Sequence, residues 1–185
     1  MSNEITTVLD ELRQDHRNMA VLLNYLEREA EKIFNGDDTD FELVHDIMQY
    51  MTVYPDAVHH PKEDRIYAEL KAARPDLSQG MSRVTDEHRS IAEQSLSLRD
   101  KIEQVIAGDF VERNAVVADA MRYIEALRKH MRWEETDLFR RVDRMIADGH
   151  TLIDTSIMVS GDDPLFGARV EERFERLLES TRPAK

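Results

Sequence analysis

Four histidines and two glutamates recur in this 185-residue chain at matching spacings. The run Asp15-His16-Arg17 returns as Glu87-His88-Arg89, and His59-x-x-x-Glu63-Asp64 returns as His130-x-x-x-Glu134-Glu135. The displacement is 72 residues for the single His and 71 for both members of the His-x-x-x-Glu pair, so the chain carries a duplicated unit. On a helix, residues i and i+4 share a face about one turn apart, so each pair can aim two donors the same way. Imidazole nitrogen and carboxylate oxygen together form a donor set suited to iron or manganese. A lone His on an apolar face is ordinary core, and an isolated His-x-x-x-Glu is ordinary helix surface. Six such residues in a common register are neither.

The elements that must position them read as helices. All six glycines (36, 80, 108, 149, 161 and 167) fall between or after long Gly-free segments, as expected of helix C-terminal ends. Residues 4–34 place Ile5, Leu9, Leu12, Met19, Leu22, Leu23 and Leu26 at helical spacing. Residues 40–73 open on Asp40 as an N-cap and stop at Arg74-Pro75, and residues 81–107 and 110–148 end before Gly108 and Gly149. The connections NGDDTD, RPDLSQG and GD are short, so successive helices must be antiparallel neighbours. The expected fold is all-α: an up-down-up-down four-helix bundle, a duplicated helical hairpin, over residues 1–148.

Counting outward from the turns tests whether the six residues meet. In a hairpin of straight helices, residues equally far from the connection lie at the same height. The midpoint of His16 and His59 is 37.5, inside NGDDTD, and that of His88 and His130 is 109, in the Gly108-Asp109 turn. Glu63 and His88 centre on 75.5, beside Pro75. All four helices therefore deliver His or Glu to one level, where unpaired burial would cost several kcal/mol each. Four imidazoles and two carboxylates divide evenly over two metal ions, with Glu63 and Glu134 bridging. Two iron ions with an oxo or hydroxo bridge are the expected cofactor, with manganese or zinc as alternatives.

Composition removes competing classes. Lys+Arg 25 against Asp+Glu 38 gives a formal charge of −13, which disfavours nucleic acid and anionic lipid as partners. With no cysteine there are no disulfides, thiolate metal sites or thiol nucleophiles. No stretch reaches the length of a membrane span and the start lacks a signal-peptide pattern, so a cytoplasmic location is expected.

Other residues near these positions carry weaker signals. His60 could ligate in place of His59, and Pro55 and Pro61 imply a kink or bulge that would swing it inward. His45 and His150 fit no register and read as surface. Tyr67, Tyr123 and Trp133 lie along the same helices and read as core. Asp56 and Thr85, each three residues before a ligand, are candidate partners for an imidazole N–H. Residues 149–185 read as a loop and then a short helix opening on Pro164, with Phe166, Val170, Phe174 and Leu177 as its apolar stripe. That helix is expected to dock on the bundle, with a homodimer or protein partner as the alternative cover.

The runs DHRNM, HHPKEDRIY, EHRSIA and HMRWEETDLF, in this order, resemble the hemerythrin-like (HHE cation-binding) domain family over roughly residues 5–148. The resemblance implies a non-haem di-iron centre in a four-helix bundle, with His16, His59, Glu63, His88, His130 and Glu134 as ligands. It implies chemistry on dioxygen, peroxide or nitric oxide in oxidative or nitrosative stress, or else a non-catalytic oxygen or iron sensor, or an iron-handling module, acting through a protein partner. Oxygen carriers of the family have a second His four residues after that of the third helix; here Ala92 stands there. Members linked to iron–sulfur repair carry a Cys-bearing N-terminal domain, and this chain has no Cys.

Overall fold

A computed structural model describes residues 2–150, 163–167 and 169–181, with side chains from Val8 onward. Among these residues seven α-helices run in chain order: α1 (Ser2–Asn35), α2 (Phe41–Tyr54), α3 (His60–Ala73), α4 (Val84–Ile106), α5 (Arg113–Trp133), α6 (Phe139–Ala147) and α7 (Glu175–Thr181). Two π turns, Pro55–His59 and Glu134–Leu138, join α2 to α3 and α5 to α6 without a break in direction. The bundle therefore has four long rods, two of them widened for one turn. Its neighbours form a closed ring: α1 packs on α5 and α2, α2 on α4, and α4 on α5. There is no β-strand among the described residues, and none of the described helices is long and apolar enough to cross a membrane.

Local chemistry sets the rod ends. The Asp40 carboxylate accepts the Leu43 N–H at 2.8 Å and caps α2. Gly36 and Gly108 adopt φ of +77° and +85°, a left-handed conformation that closes α1 and α4 at little cost only for a residue without Cβ.

The core is split in two by the polar level the sequence implies. On one side Met19, Leu22, Leu23, Leu26, Ile47, Met48, Leu98, Ile102, Ile124 and Leu127 interdigitate. On the other, Leu9, Leu12, Ile66, Leu70, Val84, Leu138, Phe139, Val142 and Met145 form a second cluster. The His and Glu side chains lie between them.

The C-terminal segment differs from its expected form. Pro164 opens a turn rather than a helix, because the Asp163 carboxylate accepts the backbone N–H of Leu165 (2.9 Å) and Phe166 (2.8 Å). A Cβ on Gly167 would stand 2.3 Å from the Asp163 carbonyl oxygen, so this tight turn requires glycine. Helix starts only at Glu172, as one 3₁₀ turn leading into α7. The apolar stripe survives: Leu165, Phe174 and Leu177 are buried in the larger core cluster, with Phe166 and Val170 packed on it. Most of the loop expected before it, residues 151–162, lies outside the described residues.

Asp163 also accepts the buried Tyr50 hydroxyl at 3.0 Å and the Asn18 amide at 3.3 Å. Asp163→Ala should cost ~2–3 kcal/mol, since it strands a buried hydroxyl and two backbone donors. Asp109→Ala, on an exposed turn, should stay within ~0.5 kcal/mol. Urea denaturation of the two variants checks the difference.

Candidate metal centre

Each rod contributes to one buried level. His16 comes from α1, His59 from the end of the first π turn, Glu63 from the first turn of α3, and His88 from α4. His130 comes from the last turn of α5, and Glu134 opens the second π turn. All six are buried, and Glu63 and Glu134 are wholly inaccessible.

The two carboxylates face two sets of imidazoles. Glu63 Oε1 is 3.3 Å from His59 Nε2 and 3.5 Å from His16 Nε2, while its Oε2 is 3.5 Å from His88 Nε2. Glu134 mirrors it: Oε2 is 3.5 Å from His16 Nε2, and Oε1 is 3.6 Å from His88 Nε2 and 3.3 Å from His130 Nε2. Each carboxylate thus offers one oxygen to the His16/His59 side and the other to the His88/His130 side.

The residues fit metal ions better than they fit one another. His16 Nε2, His88 Nε2, His130 Nε2, both Glu63 oxygens and Glu134 Oε2 are buried without a hydrogen-bond partner. A buried unsatisfied polar atom costs ~1–3 kcal/mol, and six at one point cannot be a packing accident. Donors at right angles on one ion with bonds of ~2.1 Å stand ~3.0 Å apart, close to the observed 3.3–3.6 Å. Two groups could each hold an ion: His16, His59 and Glu63; and His60, Glu63, His88 and His130.

Around this level runs a collar of carboxylates that orients the rings. His59 Nδ1 meets Asp15 at 3.1 Å, His130 Nδ1 meets Glu87 at 3.0 Å, His16 Nδ1 meets Glu135 at 3.2 Å, and His88 Nδ1 lies 3.2 Å from Asp64. With Nδ1–H donated outward by His16, His59 and His130, their Nε2 lone pairs point inward, as a ligating imidazole requires, while His88 Nδ1 lies beside Asp64 without a hydrogen bond. The pairs cross between helices in a repeating way. The acid before each single His holds the His of the next rod, and the acid after each Glu holds a single His. Sequence reasoning quoted these acids beside the ligands and gave them no role; the signal was their repetition in both halves.

The other candidates sort clearly. Asp56 reaches an imidazole, but that of His60, at 3.2 Å, rather than that of His59. Thr85 donates to Asp64 at 3.3 Å and so supports a member of the collar instead of a ring. His60 is buried, and its ring stacks on His88 with centroids 4.2 Å apart. His45 lies away from the level, paired with Asp46 and Glu103. Tyr123 is core, and Trp133 packs under the Arg83 guanidinium. Tyr67, read as core, donates its hydroxyl to Glu134 Oε1 at 3.2 Å.

The π turns explain how neighbours share the interior. His60 N–H reaches back five residues to the Pro55 carbonyl, and Phe139 N–H likewise to Glu134. Such a turn spreads more residues over one revolution, so adjacent residues come closer to facing one way. His59 and His60 are both buried, and so are Leu138 and Phe139. Pro55 and Pro61 account for the first turn by removing two N–H donors. The second contains no proline.

Without a cation the level holds protons. Burial opposes the charged imidazolium of His88, but Asp64, Glu134 and Glu63 outweigh it and lift the group to about 11. His16, His59 and His130 are raised by the same contest between burial and carboxylates. Glu63 and Glu134 are held below the usual carboxylate range, because the facing imidazoles overcome the cost of burial. His60 is lowered, by burial and then by its histidine neighbours against the pull of Asp56. A raised His stabilises the metal-free fold fully below its unfolded value of ~6.5, and that contribution is lost as pH rises through the folded value. Metal binding needs the neutral ring and works in the opposite sense. The gap in melting temperature between metal-loaded and metal-free protein should therefore widen from pH 6.5 to 10, as paired thermal melts across ~0.5-unit steps would show. A gap that narrows contradicts the assignment.

No curated protein and no solved structure matched the chain. A family model did, over residues 7–142, and that span holds all six donors and the whole collar. The chain belongs to the hemerythrin HHE cation-binding domain family.

Proposed function

We propose that this protein holds two iron ions, ligated by His16, His59, Glu63, His88, His130 and Glu134, and uses them to bind or react with dioxygen, peroxide or nitric oxide. The observation that carries the reading is the split of each carboxylate: one oxygen of Glu63 and one of Glu134 face each pair of histidines. Two iron ions there would supply one-electron redox steps and exchangeable positions for a small ligand. The chain's own part is to hold that pair rigidly. The collar fixes each ring, the two apolar clusters close the level above and below, and Tyr67 fixes the tilt of the Glu134 carboxylate.

His59 rather than His60 is the ligand in this reading. His59 Nε2 approaches Glu63 Oε1 to 3.3 Å, whereas His60 makes no ion pair with either glutamate among the described residues: its donor atom stands within 4.8 Å of those of Glu63, His88 and His130, and its ring lies against His88. His60 acts as a wall that keeps His88 in place. Cytoplasmic location and a role in oxidative or nitrosative stress accord with this chemistry.

A second reading, an oxygen or iron sensor acting through a partner, draws support from one connection. Tyr54 donates to both oxygens of Asp15, which holds His59; its ring stacks on Tyr50 at 5.7 Å, and Tyr50 donates to Asp163 of the C-terminal segment. Changes at the metal thus have a covalent and hydrogen-bonded route to residues 163–181. Hydrogen exchange of that segment in the reduced and oxidised protein separates a sensor, where protection changes, from an enzyme that turns over peroxide with the segment unmoved.

Elemental analysis of protein loaded anaerobically should give two irons per chain. Glu63→Ala should lose both together, because each position loses an oxygen. His59→Ala should lose one position preferentially, and His60→Ala should retain two. One tightly held zinc per chain with no uptake of iron would sink the proposal.

A further inference from the structure

We infer that Asp15 is a positioning residue that makes the two metal positions unequal, holding the ion of the His16/His59 side in the more oxidised state. The inference rests on the two-iron reading above. It starts from a difference within the collar. Three of its carboxylates are well exposed: 39% of the Asp64 side chain, 37% of Glu87 and 44% of Glu135 remain accessible. Asp15 is 8% accessible, and the His59 ring it holds is 1% accessible.

Burial changes what such a hydrogen bond does. In water-exposed pairs the solvent screens the carboxylate charge and competes for its lone pairs. In a dry pocket the carboxylate pulls harder on the Nδ1–H, so the imidazole becomes a stronger donor through Nε2. A stronger donor favours the higher charge on its metal. Of the four ligating rings only His59 has a backing carboxylate of this kind, so only the His16/His59 position gains from it.

Tyr54 sets the strength of the effect. Its hydroxyl lies 3.2 Å from both Asp15 oxygens and draws on the same lone pairs that the His59 N–H uses. In the duplicated frame Glu125 stands where Tyr54 does, 71 residues on, and among the described residues Glu87 pairs with His130 and Arg83 and with no tyrosine hydroxyl. Asp15 and Tyr54 together are a device present in one half of the molecule and missing from the other.

The test is a redox titration of the full-length, iron-loaded protein, with the mixed-valence fraction followed by electron paramagnetic resonance. The wild type should be reduced in two resolved steps. Asp15→Asn keeps an acceptor for both donors but removes the charge, so the two steps should move together and the mixed-valence fraction at half reduction should fall. Tyr54→Phe frees Asp15 to pull harder on His59, so the steps should move apart and that fraction should rise. Glu135→Gln, an exposed backing group on the same metal position, should leave the separation nearly unchanged.

Opposite signs for Asp15→Asn and Tyr54→Phe are what a merely structural role would not give; if Asp15→Asn does not fold, Asp15→Glu, which keeps the charge but shifts its reach, replaces it and should likewise narrow the separation. In a centre whose positions began equal, any change to one of them would widen the gap, so narrowing is diagnostic. A single two-electron step in the wild type, widening in Asp15→Asn, narrowing in Tyr54→Phe, or an equal response to Glu135→Gln overturns the inference while leaving two irons in place. Wild-type protein that takes up fewer than two irons overturns the two-iron reading, and this inference with it.

Discussion

Two carboxylates with no access to water, Glu63 and Glu134, set the terms for the rest of this structure. An ionised carboxylate in an apolar interior is affordable only when opposite charge and hydrogen-bond donors surround it. Every rod of the bundle supplies something to that end. His16, His59, His88 and His130 approach within 3.3–3.6 Å, and Tyr67 donates directly to Glu134. The division of the apolar core into two clusters follows, since neither cluster can extend through a level occupied by charge.

The polar level also fixes register. Antiparallel helices packed through leucine and methionine alone can slide by a turn at modest cost, because one apolar contact replaces another. Here a slip of one turn would move His16 away from Glu63 and Glu134 together and detach Glu135 from its ring. The carboxylate collar spreads this specificity over helix pairs: Asp15 ties α1 to the first π turn, Glu87 ties α4 to α5, Glu135 ties the second π turn to α1, and Asp64 ties α3 to α4. The order runs around the bundle and closes on itself.

The bundle and the meeting of its four His and two Glu at one level were legible in the sequence because both depend on local counting. Helical periodicity, turn length and equal distance from a connection need only straight rods, and the π turns add too few residues to spoil the register. What depended on contacts between rods was not legible. Asp15, Glu87, Asp64 and Glu135 stood in plain view beside the ligands, yet each serves a ring on a different helix. Asp56 sits three residues before His59 and holds His60, its i+4 neighbour, which the π turn brings to the interior beside His59. Pro55 and Pro61 signalled that turn; nothing comparable marks Glu134–Leu138. At the C-terminal end the apolar stripe was readable, but the helix start was not, since Asp163 spends its carboxylate on turn N–H groups and on Tyr50.

The repeat gives two similar halves, and they differ around the polar level. The shared frame keeps the six His and Glu residues and the collar, and several departures from it lie beside the polar level in the first half. Position by position, 71 residues apart, Tyr50 faces Met121, Tyr54 faces Glu125, Asp56 faces Leu127, His60 faces Met131 and Tyr67 faces Leu138. In each pair the first-half residue carries a hydrogen-bonding group, and of the second-half residues only Glu125 does, on an exposed position. Those first-half groups do not add ligands to Glu63 or Glu134 in matched pairs. They alter the surroundings of rings already there: Tyr54 through Asp15 on His59, and Asp56 through His60 on His88. A ligand set fixed by fourfold packing leaves little room to vary donors without breaking the fold. The layer behind those six side chains carries no such constraint, so the two sides of the polar level differ there.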